Sequence, residues 1–317
     1  MYDEKNKFLP DNFIETWSIS TYAGDSPLNL KPIEGISYPA INRHSITDVL
    51  TSYVADPFMI EVKGKWYLFM EIVPSETERG VVGLATSDDG IDWKYEKVIL
   101  REEFHLSYPF VFEHEGEHYM VPETLGANAI RLYKAANFPY DWEHQADLTS
   151  GLYSDPTLFR HDNKWWMFAG SNPYGSNTVN LFYADTLEGP YTEHPQSPII
   201  ENNNQLARPA GRINQENGLV RLCQSSYPFY GSEVRAFEIT ELTTEIYSEN
   251  ELVESPLLNR NPEINQWNSK GMHHMDAHQI GPNKWIACVD GSYHHEPILD
   301  EVPSKRIGNL NPSLIDS

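Results

Sequence analysis

One strand-opening motif returns five times along this chain, and few folds accommodate that. Five segments align in register: Ala55-Asp56-Pro57-Phe58-Met59-Ile60, Ser107-Tyr108-Pro109-Phe110-Val111-Phe112, Ser154-Asp155-Pro156-Thr157-Leu158-Phe159, Ala207-Arg208-Pro209-Ala210-Gly211-Arg212 and Met275-Asp276-Ala277-His278-Gln279-Ile280. Each opens on a small or polar residue, continues as a short strand and meets a hairpin turn. The turns are Lys63-Gly64, Glu115-Gly116, Asp162-Asn163, Asn217-Gly218 and Pro282-Asn283, where Gly and Asn supply the positive φ of a tight hairpin. The returning strands are rich in aromatic and aliphatic residues, as in Lys65-Trp66-Tyr67-Leu68-Phe69-Met70 and Lys284-Trp285-Ile286-Ala287-Cys288. The openings at 56, 108, 155, 208 and 276 are 52, 47, 53 and 68 residues apart, near the period of a four-stranded propeller blade.

A third strand follows in four copies, for example Val81–Thr86, but the fifth runs out after Asp290-Gly291. Its counterpart stands at the other end of the chain, where Trp17–Pro27 reads like Leu181–Pro190. The expected fold is therefore all-β: one five-bladed β-propeller domain over residues 1–317, its last blade closed by the N-terminal strand so that no sheet edge stays bare. No segment sustains an apolar helical stripe over three turns, and a sandwich or jelly roll would not explain five like units.

Composition narrows the partners. The formal charge of −23 repels nucleic acid and anionic membrane surfaces, so neither is expected as a partner. No apolar run approaches the roughly 20 residues of a membrane span. Met1 to Pro10 lacks the apolar core of a secretory signal, which implies the cytoplasm, or secretion if a signal has been removed. Two cysteines, Cys223 and Cys288, fall at matching places in different repeats and are expected as free, buried thiols.

Ala55-Asp56-Pro57, His105–Phe112, Val121-Pro122-Glu123-Thr124 and Ser154-Asp155-Pro156 together resemble the N-terminal domain of plant glucosamine inositolphosphorylceramide transferase and its bacterial relatives. The resemblance runs from about Trp17 to Asp290. It extends more loosely, through blade count and the Asp-Pro openings, to the five-bladed glycosidases of families 43, 32 and 62. In the plant proteins transferase chemistry belongs to a separate glycosyltransferase domain, so it is not carried over to this stretch.

In a propeller the opening residue of each innermost strand points at the axis. Asp56, Tyr108, Asp155, Arg208 and Asp276 are thus expected to ring one pocket, with Glu71 and Glu123 just behind them at the ends of the returning strands. Converging carboxylates suit glycoside hydrolysis, where one ionised group activates water or attacks carbon and one protonated group assists the leaving oxygen. The family-43 resemblance implies Asp56 as the base and Asp155 as the residue that tunes the acid. That family's acid, a Glu opening blade four, is replaced here by Arg208, so Glu123 is taken as the acid and Glu71 as its reserve. Arg208 would either bind an anionic substrate group or neutralise the aspartates. An Asp-Pro opening also serves as a simple turn, and Glu123 would equally pair across its hairpin with Arg131.

Histidines cluster late in the chain, at 273, 274, 278, 294 and 295. The segment reads as strand and lacks the Glu of a zinc-protease motif. The glycosidase resemblance implies a structural cation in the axial channel, with His278 as its ligand; a hydrogen-bonded core histidine is the alternative. His105 and His274 precede blade openings and are expected to contact sugar hydroxyls. Trp66, Trp165, Trp166 and Trp285 recur at equivalent positions and are read as inter-blade packing, whereas Tyr174, Tyr227, Phe229, Tyr230 and Trp267 lie in presumptive rim loops suited to sugar stacking. The leading expectation is a glycoside hydrolase, or a related glycan-processing enzyme, that acts on a carbohydrate substrate and needs no redox cofactor. A non-catalytic carbohydrate-binding propeller and a protein-interaction scaffold are the alternatives.

Overall fold

The computed structural model describes residues 14–295 apart from Pro173, Asn217, Ile264 and Asn265, and without the side chains of Ile14 and His295. Parts of three expectations therefore lie outside the described residues: Asn217 of the blade-four turn, Pro173 of a rim loop and the His295 imidazole. Met1 to Pro10 lies outside them as well. Among the described residues, the strands form five four-stranded sheets, and the only helical pieces are 3-10 turns at Arg43–Ser45 and Leu125–Ala127.

Blade one is Thr51–Val62, Lys65–Pro74, Val81–Ser87 and Lys94–Leu100, in that order outward. Blade two runs from Ser107–His114 out to Asp141–Ser150, and blade three from Ser154–His161 out to Thr192–Glu193. Blade five is built from Met275–Gly281, Lys284–His295 and the N-terminal strand Ile14–Gly24, with Leu30–Pro32 outermost. The N-terminal strand pairs antiparallel with Lys284–His295 over eleven positions, from Ile14 opposite His295 to Gly24 opposite Trp285. The ring closes as the sequence implies.

Both faces of a blade are covered by neighbouring blades, so its inner strands are apolar on both sides rather than alternating. Val54–Met59 and Trp165–Gly170 are buried without interruption. The core accordingly lies between sheets. Phe69, Phe110 and Trp165 pack among blades one to three. Ile19, Leu68 and Ile286 pack between blades five and one, whereas Val220, Trp267 and Trp285 pack between four and five. The four repeated tryptophans are buried in these seams, and Cys223 and Cys288 are buried free thiols.

Blade four departs from the pattern. Its innermost segment is irregular and, among the described residues, pairs with its neighbour strand as isolated bridges at Pro209–Cys223 and Asn214–Val220 rather than as a continuous ladder. Gly211 permits this path: its φ is +131°, and a β-carbon there would lie 1.8 Å from the Met275 carbonyl oxygen.

Removing the chain through Gly24 deletes the strand that closes blade five and leaves Lys284–His295 as an unpaired edge. A circular-dichroism melt should then lose its cooperative transition. An unchanged melting temperature would show that the ring does not depend on this strand.

Candidate active site on the propeller axis

The axial site is made by a backbone irregularity repeated in three blades. Asp56, Tyr108 and Asp155 each precede a proline and each has positive φ, at 51°, 47° and 50°, with a register slip beside it. Such a conformation is costly for a non-glycine residue and persists only where its surroundings hold it. Here the turned N–H is captured by a carboxylate of the preceding blade. Asp56 N–H donates to Asp290 Oδ2 (3.1 Å), Tyr108 N–H to Asp56 Oδ2 (3.2 Å) and Asp155 N–H to Glu123 Oε2 (3.2 Å). The Arg208 guanidinium continues the series by donating to Asp155 through Nε, with Nη2 3.4 Å from its other oxygen. Met275 N–H, donating to the Ala210 carbonyl (2.9 Å), joins blade four to blade five.

Asp56, Glu71, Glu123, Asp155 and Arg208 therefore meet at one end of the axis, all largely buried. Arg208 Nη2 also lies 3.7 Å from Glu123. Of its two expected roles, the structure places it on the aspartate. Glu123 makes no pair with Arg131, which instead approaches Glu102 and Asp147. His105 Nε2 is 2.9 Å from Glu71, while its Nδ1 accepts the Gly80 N–H (2.9 Å). Burial opposes charge on this ring and Glu71 favours it, raising its pKa. With Nδ1 already an acceptor, the proton resides on Nε2 and points at Glu71. Gly80 is required by this approach, since a β-carbon would lie 2.3 Å from the Leu106 carbonyl and 2.8 Å from the His105 ring.

Three expected site residues lie elsewhere. Tyr108 is a plug, not a substrate contact. Its ring crosses the axis, edge-on to Phe58 and His274, and its hydroxyl bonds Thr157 Oγ1 (2.7 Å) and the Gly211 N–H (2.7 Å). From blade two it thus touches all four other blades. His274 is buried against Phe58 and Tyr108, closed off from solvent, and neither ring nitrogen has a hydrogen-bond partner. Asp276 sits two residues deeper than expected, because blade five lacks the slip that shifts the other openings. There it pairs with Arg212 (2.7 Å), accepts the Met59 N–H (2.8 Å) and bonds His278 Nε2 (3.0 Å).

Those contacts also decide the cation expected at His278. The guanidinium of Arg212 already occupies the carboxylate that would share a metal with His278, so these residues do not fit one. Among the described residues a different trio, Asp56, His273 and Asp290, brings ligand-type atoms within 4.8 Å of one another. Asp290 is already saturated: Oδ1 accepts the N–H groups of His273 and His274, Oδ2 accepts that of Asp56, and His273 Nδ1 lies 2.7 Å from Oδ2. A carboxylate so fully used is a poor metal ligand and a good partner for an imidazolium.

His273 and Asp290 join this cluster, where the sequence pattern had not placed them. Asp290 stands six residues into its strand from Lys284, as Glu71 stands from Lys65 and Glu123 from Glu117, so the repeat contained the signal. Burial opposes charge on His273, but Asp290 prevails and raises its pKa to about 9. Its Nε2 faces Asp56 Oδ1 at 3.8 Å, and Trp17 stacks on the ring at 3.9 Å. Burial pushes Asp56 well above the usual carboxylate range, and the His273 cation pulls it back. Glu123 is raised to about 8, by burial and then by Asp155, against the pull of Arg208 and His105. Burial lowers His274 to about 4.

These two adjacent histidines should therefore titrate far apart. Imidazole NMR shifts are expected to place His273 near 9 and His274 near 4. The folded state refuses a proton at His274 that the unfolded chain accepts below about 6.5. Stability from this group is thus present above 6.5 and lost as pH falls toward 4. Stability from His273 has the opposite sign: it is complete below 6.5 and lost as pH rises through 9. Both rings titrating together near 6.5 would contradict this arrangement.

Residues 10–292 match the family described as glucosamine inositolphosphorylceramide transferase 1, N-terminal. Glucosamine inositolphosphorylceramide transferase 1 of Oryza sativa subsp. japonica is 34% identical over 320 residues, covering 93% of this chain and 41% of that protein. The Arabidopsis thaliana protein of the same name is 32% identical, covering 87% of this chain and 39% of its own length. The chain spans about two fifths of the length of these curated relatives. Among solved structures, the catalytic domain of a Coprinopsis cinerea family-62 α-L-arabinofuranosidase superposes with a TM-score of 0.54 at 14% identity, covering 89% of this chain and 98% of that one. A family-43 β-xylosidase/α-arabinofuranosidase from a compost metagenome gives 0.55 at 10% identity, over 79% of this chain and 92% of that one. At such identity these structures share the propeller fold. Sequence and fold together place the chain in the glucosamine inositolphosphorylceramide transferase 1 N-terminal family.

Proposed function

We propose that the axial site is a glycan-processing centre that hydrolyses a glycosidic bond, with Asp56 as base and Glu123 as acid. The observation that carries this reading is the unlike environment of two neighbouring buried carboxyls. Burial raises both: Glu123 to about 8, with Asp155 pushing the same way, and Asp56 well above the ordinary range. Asp56 alone faces the His273 imidazolium, which pulls it back toward its ionised form. This chemistry requires one protonated and one ionised carboxyl at one site, and the cation beside Asp56 marks it as the one to ionise. In the reaction the Glu123 proton passes to the leaving oxygen as the bond from the anomeric carbon breaks. Asp56 takes a proton from the water that supplies the new bond to that carbon. Arg208 and Asp155 set the charge around Glu123, and His273 with Asp290 sets it around Asp56.

A second reading, glycan binding without turnover, is favoured by one feature. Glu123 already accepts the Asp155 N–H, and Arg208 already engages Asp155, so these carboxyls also have structural work.

Activity on neutral oligosaccharides and aryl glycosides separates the two. Asp56→Asn should reduce turnover at least about 10²-fold on every substrate, the lower range for losing acid–base catalysis. Glu123→Gln should slow unactivated glycans far more than aryl glycosides, whose leaving groups depart without a proton. The wild-type rate should fall as pH rises through about 8, where Glu123 loses its proton, and this limb should vanish in Glu123→Gln. Wild-type protein that binds these glycans but turns none over would instead establish the binding reading.

A further inference from the structure

Three tyrosines stand exposed on one side of the axial site, at 78% for Tyr174, 58% for Tyr227 and 43% for Tyr230. Exposure of large aromatic rings is informative when they are grouped and held in place. Here the backbone beneath them is fixed. Around Tyr174, the N–H groups of Gly175 and Ser176 donate to the Asn172 carbonyl at 3.1 and 2.8 Å, and Asn172 Nδ2 donates to Asn177 Oδ1 at 2.9 Å. Tyr227 N–H donates to Ser225 Oγ (3.3 Å), and the Tyr227 carbonyl accepts from Ser225 Oγ (3.1 Å) and Ser232 Oγ (2.7 Å). The two loops are joined through a third segment. Asn203 N–H donates to the Asn177 carbonyl (2.9 Å), and Ser226 N–H to the Asn204 carbonyl (2.7 Å).

Arg208 ties this rim to the carboxylates. It donates to Asp155, its Nη1 donates to Ser176 Oγ (3.2 Å), and its guanidinium lies 5.3 Å from the centre of the Tyr230 ring. Tyr230 in turn meets His273 edge-on at 5.4 Å, which brings it beside Asp56. The hydrogen-bonded loops of blades three and four that carry Tyr174 and Tyr227 thus adjoin Arg208 and Tyr230 at the edge of the axial site.

We propose that this tyrosine rim binds a neutral glycan chain several sugar units long, seating the units beyond the one held at the axis. The inference deepens the glycan reading of the axial site and rests on it for the position of the first sugar unit. Tyrosine offers a flat apolar face to the C–H side of a sugar and a hydroxyl to its edge. The segments that join these loops carry the uncharged polar side chains of Asn172, Asn177, Ser176, Asn203 and Asn204, which suit hydroxyls rather than ions. An anionic chain is disfavoured by the acidic side chains of Glu71 and Asp155 at its destination and by a net charge of −23. The cation of Arg208 is already spent on Asp155. Its replacement of a blade-four acid thereby acquires a purpose, which is to hold the rim against the catalytic ring.

Calorimetric titration of the whole chain with neutral xylose- and galactose-based oligosaccharides of two to six units tests this directly. Wild-type affinity for at least one series should rise with length. The double variant Tyr174→Ala/Tyr227→Ala should lose that rise, with about a tenfold weaker hexasaccharide complex, the scale of a lost aromatic contact. Both side chains are exposed, so the variant should melt as the wild type does. Absence of binding, length-independent affinity, or a length dependence that survives in the variant would each overturn the rim. Turnover measured on the same sugars distinguishes the two claims. Tyrosine-dependent binding without any hydrolysis leaves the rim standing and removes the acid–base reading.

Discussion

The interaction on which this propeller depends is a carboxylate accepting the N–H of the next blade. Asp290, Asp56 and Glu123 each capture the main-chain donor of a residue forced into positive φ, at Asp56, Tyr108 and Asp155. Asp276 does the same for Met59 at the deeper level. Such a hydrogen bond contributes about 0.5–1.5 kcal/mol, and about 1.5–3 where the acceptor is charged, as at Asp290, where burial opposes charge but His273 lowers the pKa. These bonds also satisfy donors that would otherwise be buried alone. The strained residues and the buried carboxylates are therefore each other's remedy, and neither arrangement would persist without its partner.

The same constraint underlies the proposed chemistry. A carboxylate buried to hold a neighbouring blade is a carboxylate taken from water, and desolvation raises its pKa. What then distinguishes one from another is its neighbour. Glu123 has Asp155 beside it and is raised to about 8; Asp56 is raised well above the ordinary range by burial, but His273, made cationic by Asp290, pulls against that rise. Asp276, buried just as deeply, is held well below the ordinary range by Arg212 and His278 and serves only the fold. The Tyr108 plug divides these two levels. Carboxylates on one side of it line the site, and those on the other form a closed ion pair.

Repetition made most of the fold legible in the sequence. Blade number, hairpins and the closing N-terminal strand all follow from comparing copies, because each blade solves the same packing problem with the same pattern. The site was legible where copies agreed: Asp56, Asp155 and the strand-end glutamates Glu71 and Glu123 meet as expected. It was not legible where one copy slips. Blades one to three insert a bulge at the opening, whereas blade five runs without one, so aligning Asp276 with Asp56 displaced the reading by two residues. By register Asp276 is level with Phe58, blade five has no residue in the bulge position of Asp56, and its strand-end acid is Asp290. Tyr108 misled for another reason. Its position in the pattern was right, but a ring long enough to span the axis packs there and ceases to face solvent. Charge pairing across blades, as between Arg208 and Asp155 or Arg212 and Asp276, leaves no local trace in sequence.

The central claim is that the blade-locking geometry itself sets one carboxyl as acid beside another as base. The most direct test is a carbon-13 NMR titration of the Glu123 side-chain carboxyl in the unliganded protein. The geometry predicts that it is protonated at neutral pH and titrates near 8. Titration near the ordinary glutamate value of 4.5 would contradict it, and would leave Glu123 a structural clamp alone.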